Sequence, residues 1–93
     1  MNEAGPQISR EVARRLLQAT AVKAYGRPGV YVARDAVMQR ANISDLNEFW
    51  AIALHLEEKG WIAEADADYG VFVVTAVGID EAVDQRSALS GSR

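Results

Sequence analysis

The side chains able to do covalent or metal chemistry are few and isolated in sequence. His55 is the single histidine and there is no cysteine. It stands between Leu54 and Leu56 with no second ligand or nucleophile near it, whereas a metal or catalytic grouping needs several converging donors. A helix-surface position is the simpler expectation for it. Ser9 and Thr75 lack the neighbouring base that would make a hydroxyl nucleophilic, and Ser44 suits a helix cap. Glu64, Asp66 and Asp68 could supply oxygens to a cation, but a Ca²⁺ loop needs more ligands in a fuller pattern. A solvated acidic turn is the expected reading. No catalytic residue, metal or cofactor is therefore expected, and the chain is read as a non-enzyme whose function lies in its surfaces.

The charges are divided unevenly along the chain. Residues 1–43 carry seven cations against three carboxylates, a net +4, and residues 44–93 carry three against ten, a net −7. Such a split implies opposed surface fields, which govern partners rather than fold. Arg10, Arg14, Arg15, Lys23, Arg27, Arg34 and Arg40 are either scattered solvated cations or a nucleic-acid patch, and clustering in space decides between the two. Trp50 and Leu54, four apart, would adjoin on a helix face and form an apolar patch if that face is exposed. Cover by the chain's own termini is the alternative.

A chain of 93 residues can support one core. The apolar fraction of 49% with 25% charged residues is that of an ordinary globular domain. The lack of cysteine fits a reducing compartment, and neither a signal-peptide pattern nor an apolar run of membrane-spanning length is present. A cytoplasmic protein is expected.

The elements that must position these residues follow from periodicity and stop signals. Residues 1–7 read as a flexible lead-in. A basic-faced helix is expected from about Ile8 to Ala24, ended by the breaker Tyr25-Gly26-Arg27-Pro28-Gly29. Val30-Tyr31-Val32 suits a short edge strand. Ala33 to Ala41 reads as a short helix, and Asn42-Ile43 turns into the longest one. In Ser44 to Ile62, Ser44 or Asp45 can cap, and Leu46, Phe49, Ile52, Ala53 and Leu56 mark a core face. Gly60 suits a left-handed stop after Lys59. Trp61 to Ala65 and Val71 to Val77 form an expected β-hairpin across Asp66 to Gly70. Gly78 is expected to break the second strand. A last short helix follows from Ile79 to Ala88, capped by Asp80, before a disordered tail.

This order, helix, short strand, helix, long helix, hairpin, resembles that of a winged helix-turn-helix domain, an α+β fold. Ala41-Asn42-Ile43-Ser44 resembles the turn of the motif, and Leu56-Glu57-Glu58-Lys59-Gly60-Trp61-Ile62 resembles the passage into the wing. Val74-Thr75-Ala76-Val77-Gly78 resembles the L-T-x-x-G that closes the wing in the MarR and PadR families of regulators. The resemblance covers about residues 8–82, with 83–93 as a short helical extension and disordered tail. It implies a small DNA-associated regulator acting as a dimer, with the long helix in the major groove and the wing on a neighbouring groove or the phosphates. Arg34, Arg40 and Asn47, with Arg10, Arg14 and Arg27, would then contact DNA. The residues themselves support an alternative. Away from the expected core the long helix offers Asp45, Asn47, Glu48, Trp50, Ala51, Leu54 and Glu58, none of them a cation, and the hairpin is acidic as well. Trp50, Leu54 and Glu58 would then belong to a protein-interaction surface that binds no DNA.

Overall fold

The computed structural model describes residues 10–66 and 70–91. Four helices and three short strands follow in the order α1 (Arg10–Lys23), β1 (Val32–Ala33), α2 (Arg34–Ala41), α3 (Leu46–Glu58), β2 (Ile62–Asp66), β3 (Val71–Val74) and α4 (Ala76–Gly91). The result is a mixed α+β domain with a small antiparallel sheet ordered β1-β3-β2. Helix α1 packs against α2, α3, α4 and β3 and is the hub of the domain. Its Leu16 and Leu17 are fully buried with Phe49, Leu56, Val37 and Val74 in one core.

Three helices end in the same way. After α1, α2 and α3 the chain enters the left-handed region at Tyr25 (φ 58°), Asn42 (φ 60°) and Gly60 (φ 78°). In each case the next N–H reaches back five residues, from Gly26 to the Ala21 carbonyl (2.9 Å), Ile43 to Met38 (2.9 Å) and Trp61 to Leu56 (3.1 Å). These are Schellman stops, which satisfy carbonyls that a helix end otherwise leaves open. At the start of α3 the cap is Asp45, whose Oδ1 accepts from the N–H groups of Asn47 (2.9 Å) and Glu48 (3.4 Å). The short strand expected over Val30 to Val32 forms instead at Val32–Ala33 and pairs as an edge with β3, Val32 opposite Phe72.

Two expectations are corrected. The run Val71 to Val77 is strand only as far as Val74, and Ala76 to Gly91 is one helix that includes Gly78 and extends beyond Ala88, where the last helix was expected to end. Thr75 rather than Asp80 caps it, since the Gly78 N–H donates to Thr75 Oγ1 (2.9 Å). The same hydroxyl donates to the Gly60 carbonyl (2.6 Å), and the Thr75 N–H donates to that of Trp61 (3.0 Å). A side chain that bonds the end of α3 while capping α4 overrides the β-branched composition that otherwise favours strand. The second correction concerns Leu46. It is 45% exposed, while Phe49, Ile52, Ala53 and Leu56 are buried. As the first residue of α3 it lies at the margin of the core stripe. Residues 1–9 and 67–69, on which the lead-in and part of the acidic turn fall, lie outside the described residues. No described helix is long and apolar enough to cross a membrane.

Candidate interaction surfaces

The apolar pair on α3 divides in the structure. Trp50 is half-buried: its ring meets Phe49 edge-on at 5.2 Å and lies tilted over Phe72 at 5.8 Å, so part of it belongs to the core. Leu54 is 56% exposed. With Leu46 the residues 46, 50 and 54 recur every four positions, which makes one slowly drifting stripe on a helix of 3.6 residues per turn. Leu46 therefore belongs to this surface, a place that its assignment to the core had hidden.

Carboxylates border the stripe. Glu58 is exposed on α3, Glu57 is half-buried beside it, and Glu64 stands on the adjoining strand β2. The Glu57 carboxylate accepts from the Glu64 N–H (3.2 Å), so strand and helix are joined at this rim. Glu64 pairs with Phe72 across the sheet, which places both on the face turned toward α3. Past Glu64 the register shifts by a bulge at Ala65, after which the exposed Asp66 pairs with Val71. Asp45 and Glu48 are exposed at the other end of α3. From Asp45 to Val74, Lys59 is the one lysine or arginine among the described residues, and its Nζ lies 5.8 Å from the Trp61 ring centre. The surface of α3 and β2 is thus an apolar stripe inside an anionic frame.

The cations expected to contact DNA are distributed over other elements. Arg34 folds against Gly70 at the turn end of the hairpin, its backbone N–H donating to the Gly70 carbonyl (2.7 Å) and its Nε to Asp35 (3.2 Å). Arg27 is exposed in the loop after α1, and Asn47 is exposed in the first turn of α3. Arg10 and Arg14 line a concavity of about 530 Å³ with His55, Lys59 and Trp61, and Arg14 is ion-paired to Glu11. Arg14 also borders a second concavity, of about 350 Å³, with Arg15, Arg40 and Arg86. Arg15 was among the seven cations weighed as a nucleic-acid patch, whereas Arg86 had no special standing in the sequence, because its convergence with them depends on packing of α1, α2 and α4. No group of three or more His, Cys, Asp and Glu side chains among the described residues could hold a metal ion.

Compared with protein-family models, curated proteins and solved structures, the chain matches none. What the fold and its surfaces define is a small α+β domain of helices around a short antiparallel sheet, an architecture compatible with a regulatory or interaction module.

Proposed function

We propose that the chain is a winged-helix protein-interaction module, with α2 and α3 as the helix-turn-helix pair and β2 and β3 as the wing. Its α3 and β2 surface takes a cationic, amphipathic segment of a partner protein. The single observation that carries this reading is the stripe Leu46, Trp50 and Leu54 framed by Glu57, Glu58 and Glu64. A half-buried aromatic beside exposed leucines supplies an anchor, and the carboxylates supply orientation and encounter rate to a basic partner. A helix whose apolar face repeats every three or four residues fills such a surface.

Duplex DNA is the partner that the resemblance to winged-helix regulators implies. Asn47 favours it, since an exposed amide at the start of α3 can pair with a base edge. The phosphates flanking that groove would, however, approach Glu48, Glu58 and Glu64, a cost that grows as salt is lowered. The electrostatics therefore favour a protein partner on α3.

The test is a backbone-amide NMR titration with a helical peptide of lysine on one face and leucine on the other. Shifts concentrated in α3 and β2, and weakened by Leu54→Ala and Glu58→Lys, are the expected result. Binding spread evenly over the surface, or indifferent to both substitutions, would contradict the proposal.

A further inference from the structure

We infer that the face formed by α1, α2 and α4 binds the phosphate backbone of nucleic acid, through Arg14, Arg15, Arg40 and Arg86. This site is distinct from α3 and does not rest on the protein-docking reading above. The chain as a whole is acidic, with net charge −3, yet four guanidinium groups line one concavity to which no carboxylate among the described residues contributes, and of the four Arg14 is ion-paired, to Glu11 outside it. Like charges gathered in this way repel one another unless an anion completes the site.

The framework around the four arginines is pinned. Arg15 Nε donates to the Ala41 carbonyl (3.1 Å), tying α1 to the end of α2, and Gln18 Nε2 donates to the Ala82 carbonyl (2.7 Å), tying α1 to α4. The pairing of Arg14 with Glu11 restrains a third side chain. Satisfying the last carbonyls of α2 accounts for Arg15. It leaves Arg40 and Arg86 unexplained, and both are exposed at the rim. Planar guanidinium forks suit phosphate oxygens, which they bind through paired hydrogen bonds.

A run of phosphates fits better than one phosphate. The concavity is open, and Arg14 continues it into the neighbouring one, where Arg10 and Lys59 outnumber the single carboxylate among the described lining residues, Glu11. The cations thus form a band along α1 rather than a closed pocket, which suits a strand of regularly spaced charges.

Fluorescence anisotropy of a short mixed-sequence duplex, titrated with the full chain from low salt upward, tests this. Binding is expected at low salt, with an affinity that falls steeply as salt rises, each phosphate neutralised contributing about 0.9 to the logarithmic slope. Arg40→Ala with Arg86→Ala should weaken binding at least tenfold and flatten the slope by about two. The corresponding lysine pair should keep most of the slope, and Asn47→Ala should change neither quantity. If the alanine pair fails to fold by circular dichroism, Arg86→Glu alone reads the same site and should abolish binding. Absence of duplex binding at low salt overturns the inference, as does binding that survives these substitutions or is lost in Asn47→Ala. A melting temperature raised by pyrophosphate in a protein that ignores the duplex would show a single-phosphate pocket and also overturn it.

Discussion

A β-carbon built on Gly78 would lie 2.0 Å from the carbonyl oxygen of Trp61, so α4 and the end of α3 meet at a separation that only glycine permits. The same carbonyl accepts from the Thr75 N–H (3.0 Å), and Thr75 Oγ1 bonds the Gly60 carbonyl (2.6 Å). Gly60-Trp61 and Thr75-Gly78 are thereby two halves of one junction. The junction fixes the angle at which β2 leaves α3, and with it the position of Glu64 beside the apolar stripe.

Gly78→Ala must push backbone apart, because the obstructing atom is not the end of a flexible side chain. A loss of about 2–3 kcal/mol is expected, in the range of overpacked cores. Thr75→Ala should cost about 1–2 kcal/mol through the lost cap, and Thr75→Ser much less. Thermal or urea denaturation of the three variants reads these differences.

Tyr25 occupies a left-handed position, φ 58°, while its side chain is 83% exposed. Little packing is lost if it is replaced. Tyr25→Gly relieves the steric cost of that conformation, offset in part by the freedom of glycine in the unfolded chain, and should stabilise by about 0.5–1 kcal/mol. Asn42→Ala, at the equivalent stop after α2 (φ 60°), should destabilise by about 1 kcal/mol. Equilibrium unfolding in urea measures both.

Trp50 and Leu54 should separate when truncated. Trp50→Ala removes ring contacts with Phe49 and Phe72 at 5.2 and 5.8 Å and should cost about 2–4 kcal/mol. Leu54→Ala, on an exposed helix position, should stay within about 0.5 kcal/mol. Denaturation of the two variants checks this, and it makes Leu54 the residue with which to probe binding.

The helices were legible in the sequence because their periodic faces coincide with local stop signals. Asp45 caps and Gly60 ends α3 through contacts within a few residues. The start of α4 was not legible, since Val71 to Val77 reads as strand until Thr75 is known to bond the distant Gly60. Leu46 was misplaced for a related reason. Spacing puts it on the core stripe of α3, but only the packing shows that it stays exposed among the described residues. The acidic frame of α3 could be read from Glu57, Glu58 and Glu64, which are close in sequence. Arg15, Arg40 and Arg86 come from three helices, and no spacing rule brings them together.

The α3 and β2 surface as a dock for a cationic segment is the central claim, and charge reversal at its rim tests it most directly. Glu58 and Glu64 are both exposed, so Glu58→Lys with Glu64→Lys should leave the melting temperature nearly unchanged. Isothermal titration with the lysine-leucine peptide at low salt should then show at least about tenfold weaker binding, as expected for losing complementary rim charges. Equal affinity for the peptide in the wild-type and doubly reversed proteins would contradict the account.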